Sequence, residues 1–250
     1  MRRLLLVVPL FVALCGPWLS ASGDTLHGVS YDLGTGWLGT DFAGRDVWQQ
    51  VLLGGRGLAT VTVLATAGAY LLGVLWGLAA ATSRRHLADE LLMRPLDLLL
   101  AVPSLFLLLL LATLFPSGGL VWIVMLIHLP DIARLSRAAA LEAAHSPVVE
   151  ALRLQGESWW RTTVHHVGGS VARTLAADAG TRLTGTLYLA AAASFLGVGV
   201  PPDAADWAVM IERNRAGLLL NPWAVLAPAL MIIMLSVGLN LSFDRALRKP

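Results

Sequence analysis

The sequence predicts an all-α, polytopic membrane protein with about six transmembrane helices. Of its 250 residues, 56% are hydrophobic and 14% are charged, whereas soluble domains carry about a quarter charged residues. The mean hydropathy is +0.70. Apolar segments of about 20 residues, long enough to cross hydrocarbon as helices, recur along the chain. Most of the chain is therefore expected to lie in a lipid bilayer.

The apolar segments give the approximate bounds of the six expected helices. They are residues 4–19, 58–81, 96–115, 119–135, 171–196 and 222–241. Pro103 is expected to kink the third helix, and Pro130 interrupts the fourth near its end. The second contains GVLWG, residues 73–77, a spacing of small residues that permits close helix contact but is common by chance.

The first apolar segment has two interpretations. Residues 1–24 have a basic start, an apolar stretch and small residues after it, as a secretory signal peptide does. The apolar run is long for a signal and no clean A-x-A site follows it, so a retained helix is favoured. Residues 1–57 are then a first helix with an outer-face segment, and residues 58–250 a five-helix core.

The distribution of basic residues predicts the orientation. With the N-terminus in the cytoplasm, thirteen of the 18 Arg and Lys residues fall on the cytoplasmic side and four outside, while Arg182 lies within the fifth span. Positive residues concentrate on the cytoplasmic side of membrane proteins. Both termini are therefore predicted to be cytoplasmic, together with a loop at about residues 143–168.

Several classes of function find no support in the sequence. Lys249 is the only lysine, so the chain cannot supply the Gly-x-x-x-x-Gly-Lys loop of a P-loop ATP site. The zinc-protease and serine-hydrolase signatures H-E-x-x-H and G-x-S-x-G do not occur. A net charge of +2 does not indicate nucleic-acid binding. An ion-driven transporter remains an alternative, although no convincing internal repeat is visible.

The predicted cytoplasmic loop contains the stretch SPVVEALRLQGESWWRTTVHH, residues 146–166. Ser146 suits an N-cap and Pro147 the first turn of a helix, and Gly156 ends that helix or admits a close backbone. The stretch predicts a short helix, a break and a second helix returning to the membrane. The short helix either lies on the bilayer or fills a groove on a partner, although a solvated loop is the simpler alternative.

Five stretches of the sequence, in order, match the motifs of one protein family. The loop contains Glu150, Ala151, Leu152 and Gly156 in the order of the motif E-A-A-x-x-x-G, with Leu152 replacing the second Ala. The other stretches are LGTDFAGRDV from residue 38, ADELLMRPLDLLLAVPS from 88, LPDIARLSRAAALEA from 129 and SFLGVGVPPDAADWAVMI from 194. Together they resemble the C-type inner-membrane permeases of dipeptide, oligopeptide and nickel ABC importers.

This resemblance implies a type I ABC importer permease fold and a set of partners. A second, B-type permease completes the pathway, and an extracytoplasmic solute-binding protein delivers the substrate. Two ATPase subunits bind ATP and Mg, so the chain is expected to hold no cofactor or metal and to be no enzyme itself. Short peptides are the implied substrate, with nickel or a metal chelate as the alternative, and the bacterial inner membrane is the implied location.

The resemblance also assigns roles within the loop. Glu150, Ala151, Leu152 and Gly156 are predicted to couple the chain to an ATPase, which grips the short helix and moves the spans. Trp159 and Trp160 are expected to anchor the following helix at the membrane interface. His165 and His166 are expected to be interfacial, with metal ligation as the alternative.

Charged residues elsewhere leave their roles open. Asp178 and Arg182 are spaced i,i+4 within the fifth span, so they either neutralise each other or line the transport pathway. The acids and the arginine of residues 41–46 either form an interfacial elbow before the second span, which we favour, or contact substrate. The loop at residues 197–221 is long enough for a lid or a docking surface.

Overall fold

The computed structural model describes residues 4–20, 28–83, 86–115 and 119–248. Its α-helices are, in chain order, α1 (Leu4–Leu19), α2 (Val47–Ala81), α3 (His86–Leu100), α4 (Ser104–Leu114), α5 (Leu120–Ala144), α6 (Pro147–Leu154), α7 (Gly168–Phe195), α8 (Trp207–Asn214) and α9 (Trp223–Arg248). A π-helix, Arg161–Val167, leads into α7. Among these residues the only β-type pairing is a single Thr40–Asp46 bridge, so the predicted all-α class is confirmed.

Two helices are long and apolar enough to cross a membrane, α2 and α9, and the pair α3–α4 counts as a third if it forms one broken span. The described residues thus give two or three clear spans, and a total of six stays a prediction. Helix α2 begins at Val47 rather than near residue 58, and α5 runs through Pro130 to Ala144. The signal-like residues 1–3 and 21–24 and the terminal Lys249 lie outside the described residues.

The predicted kink at Pro103 is a break between two helices. Helix α3 ends at Leu100, α4 begins at Ser104, and their axes differ by 98°. Proline has no backbone N–H to donate to the preceding turn, and its ring collides with that turn. In α5 the same residue type, Pro130, is accommodated without a break.

The chain divides into two compact units, and unit 1 comprises residues 1–63, 115–120 and 183–250. Its core is formed by α1, α2, α7, α8 and α9 around the buried Trp207, whose indole N–H donates to the Val51 carbonyl oxygen at 2.8 Å. The predicted loop at residues 197–221 therefore contains a helix that is packed into this core. Asn221 holds the loop end by donating to the carbonyl oxygens of Leu38 and Thr40 at 2.9 and 3.0 Å.

Unit 2 comprises residues 64–114 and 121–182, and α2 and α5 approach each other closely there. A Cβ added at Gly77 would lie 2.3 Å from the Ala133 carbonyl oxygen, and one at Gly73 would lie 3.0 Å from Ile132. Ser136 on α5 donates to the Val74 carbonyl oxygen at 3.3 Å. The GVLWG spacing is therefore a helix contact, as small residues one turn apart allow.

Two ion pairs hold the amphipathic helix α3 against α5. Asp89 accepts two hydrogen bonds from the Arg137 guanidinium, and Asp97 accepts one from Arg134 at 2.6 Å. Between them, Met93 packs with residues of α2 and α5 in a small buried cluster. Because a paired guanidinium and carboxylate fit each other in a fixed geometry, these contacts fix the rotation of α3 as well as its position.

Substituting Gly77 by alanine should destabilise the fold. The new Cβ would overlap backbone atoms of α5, and overpacking of this kind costs about 1–3 kcal/mol. The matched control is Gly169→Ala, since a Cβ at Gly169 meets nothing within 4 Å. Thermal unfolding of purified protein in detergent should show a lower Tm for Gly77→Ala alone, and equal Tm values would contradict the contact.

Reversing the charge of Asp89 should also lower the Tm. Asp89→Arg places two guanidinium groups together and removes a charged hydrogen-bond partner, a loss of about 1.5–3 kcal/mol. The double variant Asp89→Arg/Arg137→Asp restores opposite charges and should recover part of the loss. Glu90→Arg is the control, because Glu90 forms an ion pair with the exposed Arg94 of the same helix. Failure of the double variant to recover would count against the pair.

Candidate functional site

The short helix α6 is closed at both ends by the residues that predicted it. The Ser146 hydroxyl accepts from the Val149 backbone N–H at 3.4 Å, and the Ser146 carbonyl oxygen accepts from that of Glu150 at 3.2 Å. At the other end Gly156 has φ +78° and the Glu157 N–H donates back to the Leu152 carbonyl oxygen. This is a Schellman closure, in which glycine supplies the left-handed residue. A Cβ at Gly156 would meet nothing within 4 Å. The positive φ of this residue, rather than a lack of space, therefore explains why it is a glycine.

Helix α6 has one buried face and one exposed apolar face. Val149 is 3% exposed and lies in one buried cluster with residues at the end of α2, the end of α5 and the start of α7. On the other side Val148, Ala151 and Leu154 are exposed, Leu154 to 82%. An eight-residue helix is too short to be stable by itself in water. Its packing on unit 2 therefore fixes α6 and presents the apolar face outward.

The four residues predicted to couple the chain to an ATPase lie on or just after α6. Glu150, Ala151 and Gly156 are exposed, and Leu152 is half-buried. Ala151 lies on the outward face. Val148 and Leu154 complete that face, and they were not singled out from the sequence. Their i,i+3 spacing from Ala151 was the available signal.

The segment after α6 carries exposed aromatic residues and a π-helix. Trp159 and Trp160 are exposed, with ring centroids 6.4 Å apart, and Arg161 pairs with Glu157 at 2.9 Å. The predicted second helix is present, but its first turns, Arg161–Val167, are π-helical. π-helical turns inside α-helices occur frequently at functional sites.

His165 and His166 are exposed neighbours whose ring centroids lie 5.5 Å apart. In the described part of the chain no group of three or more His, Cys, Asp or Glu residues is placed to hold a metal ion. Two adjacent histidines alone are fewer ligands than protein metal sites ordinarily use. The interfacial interpretation of the pair stays a prediction.

A second site lies within unit 2, where Asp178 and Arg182 form the predicted pair. The Arg182 Nε donates to Asp178 Oδ2 at 3.0 Å. Two further helices contribute partners: the Tyr70 hydroxyl of α2 donates to Asp178 Oδ2 at 2.8 Å, and Arg182 Nη1 lies 2.9 Å from Asp131 Oδ2 of α5. We call Tyr70, Asp131, Asp178 and Arg182 the polar cluster. It joins three helices through one guanidinium and two carboxylates.

His128 lies beside the polar cluster, one turn before Asp131 on α5. Both ring nitrogens of His128 are buried without a hydrogen-bond partner in the described part of the chain. Buried polar atoms are nearly always hydrogen-bonded. These two nitrogens are therefore unsatisfied polar atoms close to the cluster in the sequence of α5. Their signal in the sequence was an isolated histidine in an apolar segment.

The charged residues of segment 41–46 form an ordered turn before α2. Asp41 is fully buried, accepts from Arg45 Nε at 3.1 Å and lies 3.5 Å from Arg213 Nη2. Asp46 accepts from the backbone N–H of Gln49 at 3.1 Å, which caps α2. Burial and the positive charge of Arg45 lower the pKa of Arg213. These internal contacts support the elbow interpretation over substrate contact.

Comparison with known proteins agrees with this architecture. The pattern of the family described as "Binding-protein-dependent transport system inner membrane component" matches residues 73–249. The probable D,D-dipeptide transport system permease protein DdpC of Escherichia coli (strain K12) is 30% identical over 250 residues, covering 96% of this chain and 82% of that protein.

Two relatives from Brucella abortus are also named as peptide permeases. A putative peptide permease protein is 32% identical over 212 residues, which cover 83% of this chain and 70% of that protein. A putative peptide transport system permease protein is 30% identical over 246 residues, covering 96% and 82%. The resemblance to dipeptide-type permeases is confirmed, and the chain belongs to the family of inner-membrane components of binding-protein-dependent transport systems.

Proposed function

We propose that the chain is one of two permease subunits of a bacterial ABC importer for short peptides. A B-type permease forms the other half of the pathway, two ATPase subunits bind ATP and Mg, and a solute-binding protein delivers peptides to the outer face. Both termini lie in the cytoplasm. Family membership and the names of the relatives support this assignment. Nickel or a metal chelate is the alternative cargo.

The observation that carries the proposal is the outward apolar face of α6. Val148, Ala151 and Leu154 project from a helix whose other side is packed on unit 2. A helix presenting apolar residues at i, i+3 and i+6 or i+7 is suited to a groove on a partner protein. An ATPase that closes around ATP would hold this face and pull α6 with it.

The packing of unit 2 can transmit a displacement of α6 to the long helices. Val149 lies in one buried cluster with the adjoining ends of α2, α5 and α7, and close-packed elements move as bodies rather than deform continuously. A displaced α6 therefore displaces three long helices. In this mechanism the permease switches access from one side of the membrane to the other, while ATP chemistry stays on the partner subunits.

We further propose that Asp178 and Arg182 line the pathway. Counted from the cytoplasmic ends of the predicted spans, at residues 81, 135 and 171, Tyr70, Asp131 and Asp178 lie 11, 4 and 7 residues inside. At 1.5 Å per residue these distances are roughly 6–17 Å, within the cytoplasmic half of a 30 Å hydrocarbon layer or close to its middle. Ionisable groups at that depth face a bundle interior or a water-filled space.

Reconstitution tests the proposed function directly. Proteoliposomes containing both permeases and both ATPases, with the binding protein outside, should take up labelled dipeptides only when ATP is enclosed. Uptake by vesicles holding this chain alone, driven by an ion gradient, would show a secondary transporter instead. Nickel uptake without peptide uptake would select the alternative cargo.

Changing the outward face of α6 should uncouple the complex. Ala151→Arg places a long charged side chain in the apolar contact and should reduce peptide uptake by at least about tenfold, since residues at the centre of such contacts dominate binding. ATP hydrolysis by the remaining complex should lose its stimulation by the binding protein. Both rates are measured on the same reconstituted preparation.

The matched control is Ala172→Arg, the same change at an exposed alanine early in α7. It should leave uptake and stimulation unchanged. Co-purification of the tagged complex shows whether Ala151→Arg acts through loss of assembly or through loss of coupling. Uptake at the unsubstituted rate in Ala151→Arg would refute the role of α6.

A further inference from the structure

We infer that the polar cluster is a contact site for the protonated amino groups of the cargo as it passes through the membrane. The inference rests on the proposed function and specifies what the cluster recognises there. It concerns Tyr70, Asp131, Asp178 and Arg182, with His128 beside them. Its basis is the charge of the cluster, its exposure and its unsatisfied hydrogen-bonding atoms.

The cluster carries an excess negative charge. Arg182 is shared between Asp178 and Asp131 at 3.0 and 2.9 Å. The Tyr70 hydroxyl is a neutral donor to Asp178. One guanidinium thus faces two carboxylates, which leaves the group one negative charge in excess. An unbalanced charge inside a low-dielectric region attracts a mobile ion of the opposite sign far more strongly than it would in water.

The excess charge is accessible, and Asp131 is its most open member. The side chain of Asp131 is 39% exposed, against 24% for Arg182 and 19% for Asp178. Asp178 is further occupied by Tyr70 and Arg182, which both donate to its Oδ2. Among the described residues Asp131 has one ion-pair contact, to Arg182, so it is the carboxylate best placed to meet an incoming cation.

His128 adds a hydrogen-bond acceptor at the same place. It precedes Asp131 by three residues, so both side chains lie on one face of α5. A neutral imidazole offers one acceptor nitrogen, and an ammonium group offers three N–H donors. Both nitrogens are buried here and have no partner within the described chain, so an ammonium group bound at Asp131 can donate to one of them once a change of side-chain rotamer exposes it.

These features select an amino group over other cargo chemistry. A free carboxylate would meet two fixed carboxylates for one guanidinium and would be repelled. A compact ammonium, at a peptide N-terminus or a lysine side chain, matches the excess charge and the acceptors. Binding by a single excess charge is weak enough to be released, as passage requires.

The test compares two tripeptide cargoes that differ at one residue, whose side chain carries a positive or a negative charge, using the complete reconstituted complex. The probes are the tripeptides alanyl-alanyl-lysine and alanyl-alanyl-glutamate, and the measured quantity is the ratio of their uptake rates. The selectivity of the binding protein is the same for every permease variant, so a change in the ratio reports the permease. Asp131→Asn removes the excess charge and should lower the lysine-to-glutamate ratio about tenfold.

Three further variants control the interpretation. Asp131→Glu keeps the charge and should keep the ratio. Glu142→Gln removes a carboxylate from an exposed position of the same helix, α5, and should leave the ratio within about twofold, since exposed charges are screened. Arg182→Gln makes the cluster more negative and should raise the ratio. This variant tests the ammonium site if Asp131→Asn fails to assemble or loses all uptake.

The outcomes separate this inference from the proposed function. A ratio that does not change in Asp131→Asn, or that does not rise in Arg182→Gln, overturns the ammonium site while ATP-driven peptide uptake still stands. An equal change in Asp131→Asn and Glu142→Gln also overturns it. Absence of ATP-dependent peptide uptake by the unsubstituted complex overturns the proposed function instead.

Discussion

The contact between α2 and α5 at Gly73 and Gly77 is the constraint on which unit 2 depends. The added Cβ at Gly77 would lie 2.3 Å from a carbonyl oxygen, so the two helices approach to backbone contact. Tyr70 lies on the same face of α2 as these glycines, three and seven residues before them. The contact therefore fixes the depth and direction from which Tyr70 enters the polar cluster. In lipid, where no hydrophobic force drives helices together, such packing is a principal source of association.

Local patterns predicted α6 and its ends because the residues that determine them are neighbours in the chain. Ser146, Pro147 and Gly156 act within one or two turns, and each is found in its expected place. The Asp178–Arg182 pair was predictable for the same reason, since i,i+4 residues share a helix face. The all-α class followed from composition, because a membrane leaves few alternatives to helices.

The rest of the site depended on contacts that no local pattern encodes. Tyr70 and Asp178 are 108 positions apart, and only the packing of three helices brings Tyr70 and Asp131 to the predicted pair. The break at Pro103 shows a different limit. The proline identified where the helix would be disturbed, while the 98° change of direction accompanies the ion pairs that hold α3 on α5. The sequence showed the glycines of GVLWG as a possible helix contact, but it did not identify α5 as the helix they meet.

Helix α5 links the two candidate sites in a single element. It carries Asp131 and ends at Ala144, and two residues separate that end from the start of α6 at Pro147. Thirteen helical residues between Asp131 and Ala144 span roughly 20 Å. A displacement applied at α6 therefore reaches Asp131 without passing through a flexible joint inside α5. In the proposed importer, α5 therefore couples ATPase closure mechanically to the exposure of the cation-binding carboxylate, Asp131.

The exposed face of α6 also has a consequence for the chain before any transport occurs. Val148, Ala151 and Leu154 form a contiguous apolar surface on α6. The packing of the chain itself leaves this side of the helix exposed. Water disfavours such a surface, and exposed apolar patches on unassembled proteins promote aggregation. An orphan subunit thus differs chemically from an assembled one at a place that chaperones and proteases can reach. In the proposed importer the ATPase subunits cover this surface, so the amount of stable permease would depend on their supply.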